Sequence, residues 1–129
     1  MAYTKLGLTP DGSSTYFLPR IVGLRRALEL TLTNRMLSAR EALEWGIVTT
    51  VVPDSALTVA STEMAKRLAS GPTRAFGGAK RLIHSGFSET IETQMELEAR
   101  LIAELAKSED GQEGIKAFLE KRPAKFAGR

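Results

Sequence analysis

The stretch GLTPDGSSTYFLPRIVG, residues 7–23, places a polar loop directly before an apolar segment. Its Pro-Asp-Gly tripeptide, centred on Asp11, is typical of a tight turn. Thr15 is predicted to cap a short helix that runs to Val22, and Gly23 is predicted to break it. Such a loop is either an ordinary turn with a helix cap or part of a larger active site, so the rest of the sequence has to decide.

Helical patterns fill most of the remaining chain and predict a mainly α fold. Ser38 and Glu41 have the spacing of a capping box before a helix that Gly46 ends. Five further helices are predicted. The first covers residues 24–32, the second has Asp54 as its N-cap, and the third runs from Pro72 to about Gly86. The fourth runs from Ser88 to about Lys107, and the last begins in the acidic segment after Ser108.

One segment departs from this pattern. Residues 47–52, IVTTVV, form the single β-branched run and predict a short strand that Pro53 closes. A lone strand leaves backbone donors and acceptors unpaired. The strand is therefore expected to find its partner in another subunit or in a part of the protein outside this chain.

Composition narrows the function classes. The chain has 129 residues, 43% of them apolar and 26% charged, with no cysteine and a formal net charge of +3. Without cysteine there are no disulfides or thiolate metal sites, and a cytoplasmic location is favoured. No apolar run is long enough to span a membrane, so a membrane role is not expected.

Basic residues are spread along the chain as singles and pairs, and aromatic residues make up only 6% of it. A nucleic-acid-binding protein usually gathers its cations on one face, so no nucleic-acid partner is expected. The tail KRPAKFAGR, residues 121–129, is the one segment dense enough in charge to suggest phosphate contact.

Several motifs occur in a fixed order that resembles the crotonase family, the enoyl-CoA hydratases and isomerases. The first part of the chain follows the family patterns G-[LI]-x-P-[DG]-x-[GS]-[GS]-[ST], L-x-R-x-[VI]-G and L-[ST]-A-x-E-A-x-x-x-G-[LI]-[VI]. The end, EGIKAFLEKRPAKF, follows the closing pattern E-G-x-x-A-F-x-E-K-R-x-x-x-F. The matching positions include Gly7, Pro10, Arg20, Gly23, Glu29, Leu32, Thr33, Ser38, Ala39, Glu41, Ala42 and Gly46.

The resemblance implies that the chain corresponds to the C-terminal half of a crotonase, with residues 1–53 forming a loop, active-site-side helices and the short strand. Residues 54–129 would form a helical region that mediates oligomerisation and covers CoA. The family implies an acyl-CoA thioester as substrate, no further cofactor, no metal, and a homotrimer or hexamer. The two backbone amides of its oxyanion hole are expected to lie before Met1.

The resemblance also implies site residues. In hydratases the second catalytic glutamate falls where this chain has Tyr3, which puts hydration by two glutamates in doubt and makes Tyr3 a candidate for the acyl pocket. In the epoxyphenylacetyl-CoA isomerase branch an aspartate in the Pro-Asp-Gly turn shuttles a proton, which makes Asp11 the candidate acid/base. Phe118 and Lys121, about one turn apart on the last predicted helix, match positions that contact the adenine and phosphates of CoA.

Two functions from different classes remain open. In the first, the chain belongs to an acyl-CoA enzyme that shifts a double bond or adds across it, with Asp11 as acid/base, although these 129 residues alone are expected to be inactive. In the second, the chain is a non-catalytic helical assembly module, a crotonase half that lacks the oxyanion hole.

Overall fold

A computed structural model describes residues 2–129 and divides the chain into two units, one ending at Ser55 and the other covering Ala56–Arg129. The first unit contains a short 3-10 helix, Tyr3–Leu6, followed by α1 (Ser14–Val22), α2 (Leu24–Thr33) and α3 (Ala39–Glu44). Helices α1 and α2 pack on each other, and their small core buries Val22, Ala27 and Leu30.

The second unit contains α4 (Leu57–Ala69), α5 (Thr73–Ser85), α6 (Ile91–Leu105) and α7 (Glu109–Leu119). A 3-10 helix, Asp54–Ala56, crosses the boundary between the units just before α4. Helices α5 and α6 pack closely where Gly78 faces Leu101, whose Cδ2 atom would lie 2.8 Å from a Cβ at position 78. Helices account for nearly all regular structure in residues 2–129, so the prediction of a mainly α fold is confirmed.

The predicted capping box is confirmed at the start of α3. The Ser38 side chain accepts the Glu41 N–H, and the Glu41 carboxylate accepts the Ser38 N–H at 2.9 Å. The same carboxylate pairs with Arg35 at 2.6 Å. The Ser38 backbone bond, then the Arg35 and Ser38 side chains, lower the pKa of Glu41 to about 2. These local bonds fix where α3 begins.

The predicted strand at residues 47–52 is wrong, because the structure has no β-strand within residues 2–129 and this segment is irregular. The N–H groups of Ile47 and Val48 donate to the Ala42 carbonyl at 2.9 and 3.3 Å. The first donors of the run therefore close α3. No strand partner lies within reach in the described chain, and β-branched composition cannot replace pairing.

Three predicted helix starts are also wrong. Helix α1 begins at Ser14 with Ser13 as its N-cap, so Thr15 lies inside the helix. Asp54 lies in the 3-10 helix, and Ala56 precedes α4. Helix α6 begins at Ile91, where the Thr90 side chain accepts the Thr93 N–H, and not at Ser88. For α1 and α6 the error is a choice among neighbouring polar residues that differ little in capping ability, whereas at α4 the 3-10 helix Asp54–Ala56 separates Asp54 from the helix start.

Apolar side chains on α6 remain exposed in the second unit. Ile91 is 71% exposed, Met95 62% and Ile102 72%. Among the helices of residues 2–129, none is both long enough and apolar enough to cross a bilayer.

Candidate functional site

Asp11 lies in a turn that its own main chain holds together. The Asp11 carbonyl accepts the Ser14 N–H at 3.1 Å and the Ser14 hydroxyl at 2.6 Å. The two residues between them, Gly12 and Ser13, have φ of 59° and 60°, the pattern of a type I′ turn. The turn leads directly into α1, with Asp11 three residues before its first residue.

The Asp11 carboxylate takes no part in holding this turn. Its side chain is exposed and accepts no hydrogen bond from another residue of the described chain. A carboxylate that stabilises nothing locally is available to interact with a ligand or substrate. The turn thus places the Asp11 carboxylate, a potential acid/base group, just before the N-terminus of α1. The positive φ of Gly12 and Ser13 gives this turn an uncommon backbone conformation.

A small apolar cavity of about 160 Å³ lies beside this turn. Its wall includes Pro10, Leu18, Leu24 and Leu28, so α1, α2 and the residue just before Asp11 all contribute. The cavity walls are almost entirely apolar side-chain surface, which suits an aliphatic or aromatic group and not a charged one.

Tyr3 lies on the 3-10 helix Tyr3–Leu6 and is 44% exposed. Thr4 anchors this helix to the end of α2, because its hydroxyl donates to the Thr31 carbonyl at 2.7 Å and accepts from the Asn34 amide at 2.7 Å. The helix is thus fixed within the first unit. No hydrogen bond or ring contact joins Tyr3 to Asp11 in residues 2–129, so the structure does not bring these two candidates into contact.

Phe118 and Lys121 lie at the end of the second unit. Phe118 is on α7 and 83% exposed. Lys121 is exposed but lies beyond the end of α7 at Leu119, with φ of 53°, so the prediction that both residues are on the helix is wrong for Lys121. The two are still adjacent, because the Lys121 N–H donates to the Phe118 carbonyl at 3.2 Å.

The tail after α7 folds back onto this helix through a two-residue ion pair, which we call the Glu113–Arg122 clasp. The Arg122 guanidinium contacts both Glu113 carboxylate oxygens, at 2.6 and 2.9 Å, and its Nε donates to Glu120 at 2.6 Å. The Lys125 N–H also donates to Glu113, at 2.9 Å. The bonds from Arg122 and then Lys125 lower the pKa of Glu113 to about 2.

Asp110 holds the last residues of the tail. Its side chain is 5% exposed, and its two carboxylate oxygens accept the N–H groups of Ala127 at 2.6 Å and Gly128 at 2.9 Å. The Asp110 N–H donates to the Arg129 carbonyl at 2.8 Å. The basic tail is therefore an ordered part of the second unit, and both of its arginines form ion pairs, Arg122 with Glu113 and Arg129 with Glu109.

Comparison with known proteins places the chain in a family. The family model described as enoyl-CoA hydratase/isomerase matches residues 1–129. The chain belongs to the enoyl-CoA hydratase/isomerase family.

Individual relatives agree with this assignment. The chain is 41% identical to the 1,2-epoxyphenylacetyl-CoA isomerase of Escherichia coli K12 over all of its own length and 49% of that protein. It is 43% identical to a Rhodobacter capsulatus protein named "Probable enoyl-CoA hydratase", over 99% of this chain and 50% of the relative. The solved enoyl-CoA hydratase/isomerase of Cupriavidus metallidurans CH34 superposes with a TM-score of 0.90 at 36% identity, over 99% of this chain and 48% of that one. The chain thus spans about half the length of the relatives it matches.

The structure also explains the closing sequence motif of this family member, which the sequence had indicated only as a pattern. Glu113 and Arg122 are its first and tenth positions, and they form the clasp. Phe126 is the last position of the motif, and its ring packs against Gly114, where an added Cβ would lie 3.5 Å from the ring. Their spacing in the motif was the only signal that could have identified Glu113 and Arg122. Asp110 lies outside the motif, and nothing in the sequence marked it.

No cluster of three or more histidine, aspartate or glutamate side chains in the described residues is close enough together to bind a metal ion. The charged groups that the structure does bring together form ion pairs or hold backbone N–H groups. The two groups of candidate residues, Tyr3 with Asp11 and Phe118 with Lys121, belong to different units of the chain.

Proposed function

We propose that this chain is the C-terminal portion of an acyl-CoA enzyme that isomerises a carbon–carbon double bond, with Asp11 as the acid/base. Family membership supports the reaction class. We prefer isomerisation to hydration because Tyr3 stands where hydratases have their second catalytic glutamate, and the similarity to an epoxyphenylacetyl-CoA isomerase is consistent with this choice. The observation that carries the assignment to Asp11 is its carboxylate, which is exposed on a rigid turn and accepts no hydrogen bond within residues 2–129.

In the proposed reaction the Asp11 carboxylate removes a proton from one carbon of the acyl group. The electrons of the broken C–H bond pass into the thioester, which becomes an enolate. The carboxylic acid then returns the proton to a second carbon, and the double bond is shifted with no net gain or loss of atoms. The enolate oxygen needs two hydrogen-bond donors, whose loss typically costs about a hundredfold or more in rate, and we assign these to backbone amides outside this chain.

The apolar cavity beside the turn gives the acyl group a place next to the carboxylate. Pro10, the residue before Asp11, forms part of the cavity wall, so we place the bound acyl chain beside this turn. An apolar wall of this kind suits a hydrocarbon chain better than a charged group. Tyr3 is proposed as a further residue of the acyl pocket.

The CoA moiety is proposed to contact Phe118 and Lys121. An exposed phenylalanine offers a flat apolar surface on which an adenine ring can stack. Lys121 supplies a positive charge for a phosphate, since the arginines of the same tail already form ion pairs within the second unit. These residues would serve binding, while Asp11 would serve the chemical step.

The substitution Asp11→Asn tests the catalytic role in the full-length protein that carries this chain. Because the turn is held by the Asp11 main chain, the amide should keep the fold and the thermal midpoint. Turnover should fall by about 10²–10⁴-fold, the usual loss for a general acid/base, with little change in acyl-CoA affinity.

Asp54→Asn is the matched control, because Asp54 is exposed and lies on a 3-10 helix remote in sequence from the turn. It should leave turnover unchanged. Undiminished turnover in Asp11→Asn would place the catalytic group elsewhere. A second assay uses residues 1–129 alone with crotonyl-CoA and β,γ-unsaturated thioesters. We expect no turnover there, and turnover at ordinary enzyme rates would contradict the assignment of the oxyanion hole to another segment.

The alternative function, a non-catalytic assembly module, is favoured by one observation. Helices α5, α6 and α7 border an apolar groove of about 880 Å³, next to the exposed Met95 and Ile102 of α6. Burying a methionine or isoleucine side chain contributes about 1.5–3 kcal/mol, so this apolar groove favours association with another protein surface. We propose that it mediates self-assembly, as a homotrimer or hexamer, whichever of the two functions holds.

Analytical ultracentrifugation of the chain tests this assembly. The wild type should self-associate at micromolar concentration, and Ile102→Glu should shift it toward monomer because a charge then lies on the apolar face. Ala103→Glu adds the same charge at the next, also exposed position, which faces about 100° around the helix, and should have a smaller effect. A stable, folded wild-type monomer would contradict the proposed assembly.

A further inference from the structure

Three chain reversals in residues 2–129 are closed by the same pair of backbone hydrogen bonds. In each, one N–H donates to the carbonyl five residues earlier and the preceding N–H donates to the carbonyl three residues earlier, the pattern of a Schellman motif. The residue with positive φ in the three motifs is Gly7, Gly46 and Lys121, respectively.

Lys121 is the exception among these positions. The left-handed backbone conformation is easy for glycine but costs energy for a residue with a Cβ, and a long side chain is rare there. The chain uses glycine for the same purpose at Gly7 and Gly46, at φ of 73° and 72°. A lysine kept in a position better suited to glycine indicates a use for its side chain.

The Glu113–Arg122 clasp holds the residue immediately after Lys121. Arg122 donates its backbone N–H to Ala117 at 3.0 Å and its guanidinium to Glu113, so both its main chain and its side chain are tied to α7. Glu120, on the other side of Lys121, pairs with the same guanidinium at 2.6 Å. Lys121 is thus the one residue of this three-residue segment whose side chain has no ion pair in the described chain.

The clasp also determines which cation is available to an anion. The Arg122 guanidinium already uses Nε, Nη1 and Nη2 in bonds to Glu120 and Glu113, and these carboxylates cancel its charge. Lys121 is exposed, and its backbone N–H donates to the carbonyl of Phe118, whose ring is exposed as well. Of the two cations in residues 120–122, Lys121 is therefore the one whose charge is available to a phosphate.

We propose that Glu113 and Arg122 are positioning residues, which hold Lys121 in its left-handed conformation so that its ammonium group meets a phosphate of the CoA nucleotide. This inference rests on the proposed function, which assigns Lys121 to CoA binding. It adds that a carboxylate, Glu113, promotes the binding of an anion.

Simple electrostatics gives the opposite expectation for Glu113. Removing a negative charge near a phosphate site should tighten binding of the phosphate. If Glu113 acts by positioning Lys121, its removal should weaken binding, because the lysine then has to be ordered when the nucleotide binds. The sign of the change therefore separates positioning from a general charge effect.

The test is a titration of the chain with adenosine 3′,5′-bisphosphate, followed through the backbone amide resonances of Phe118 and Lys121 by NMR. Glu113→Gln should weaken the affinity about two- to tenfold, the cost of ordering one side chain. Arg122→Lys, which keeps the charge but not the two-pronged contact, should weaken it in the same direction and serves if Glu113→Gln folds poorly.

Glu109→Gln is the matched control, because it removes the same charge from the same helix and breaks a different tail pair, Arg129–Glu109. It should leave the affinity unchanged or slightly tighter. Faster hydrogen exchange of the Lys125 amide in Glu113→Gln would show directly that the clasp has opened.

The outcomes separate this inference from the proposed function. If the wild type binds, Lys121→Gly abolishes binding and Glu113→Gln binds as well as Glu109→Gln, the positioning role is overturned while the CoA contact stands. If the nucleotide leaves the Lys121 resonance of the wild type unchanged, the CoA contact of the proposed function is overturned, and the positioning role with it.

Discussion

Replacing Asp110 by asparagine tests how the C-terminal tail is held. The Asp110 carboxylate is 5% exposed and accepts two tail N–H groups, from Ala127 at 2.6 Å and Gly128 at 2.9 Å. Asparagine has the same shape but only one oxygen, so its NH₂ group must face a backbone donor. The substitution therefore removes one hydrogen bond and weakens the other without creating a cavity.

The size of the effect follows from these contacts. A hydrogen bond to a charged group contributes about 1.5–3 kcal/mol, and the bond that remains loses about half of its strength when its acceptor becomes neutral. Asp110 is also the second residue of α7, where a negative charge contributes about 0.3–1 kcal/mol through the helix dipole. We expect Asp110→Asn to lower the free energy of unfolding by about 2.5–5.5 kcal/mol, or the thermal midpoint by roughly 9–20 °C.

Thermal denaturation followed by circular dichroism at pH 7 measures this loss, and hydrogen exchange shows whether the Ala127 and Gly128 amides become exposed. Glu109→Gln is the control: Glu109 is the adjacent residue, and its pair with Arg129 is largely exposed, with side chains at 69% and 73%. Exposed pairs contribute at most about 1 kcal/mol. If Asp110→Asn costs no more than Glu109→Gln, the tail is not held by the buried carboxylate and the reasoning fails.

Four other substitutions have expected outcomes that denaturation experiments can check. Gly111→Ala should lower the free energy of unfolding by about 1–3 kcal/mol, because the new Cβ would overlap the Leu105 carbonyl. Gly77→Ala should raise it by about 0.5–1 kcal/mol, because a Cβ at position 77 has open space around it. Equal effects of the two substitutions would contradict the packing at position 111. Lys121→Gly should stabilise the chain by about 0.5–1 kcal/mol, because the strain of a left-handed lysine that it removes exceeds the cost of the greater freedom of glycine in the unfolded chain. A loss of stability would show that no strain exists at this position. Folding lowers the pKa of Glu113 from 4.5 to about 2, so its ionised carboxylate stabilises the chain above pH 4.5, and this stabilisation is lost as the pH falls toward 2. The difference in thermal midpoint between wild type and Glu113→Gln should therefore shrink over that range and not grow.

Local signals predicted helix boundaries where one residue was clearly better suited than its neighbours. The Ser38–Glu41 capping box and the stop at Gly46 are both confirmed, because each depends on residues within a few positions of one another. Thr15 and Ser88 were wrong as helix starts, since each has polar neighbours that can cap equally well, and Asp54 was wrong because it lies in a 3-10 helix that precedes α4. Tertiary packing decides among such near-equal alternatives.

The strand prediction failed for a different physical reason. The β-branched composition of residues 47–52 describes what a strand prefers, but pairing with a second strand is what makes one. In the structure the first N–H groups of this run bond to Ala42 at the end of α3. A sequence pattern cannot tell whether a backbone donor is already in use.

The candidate site divides in the same way. The sequence by itself determined the mainly α fold, the family and the identity of the candidate residues Tyr3, Asp11, Phe118 and Lys121, since these follow from periodic patterns and from motif positions that can be read in order along the chain. Their roles in binding and catalysis stay predictions.

Only the tertiary structure decided what holds these residues. Asp110 contacts backbone groups 17 and 18 residues away, and Glu113 contacts Arg122 across 9 residues. Such contacts exist only once the chain has turned back on α7, and that reversal places Lys121 where glycine is usual. The energy of a left-handed residue or a buried carboxylate depends on these distant partners, so neither could be recognised before the fold was known.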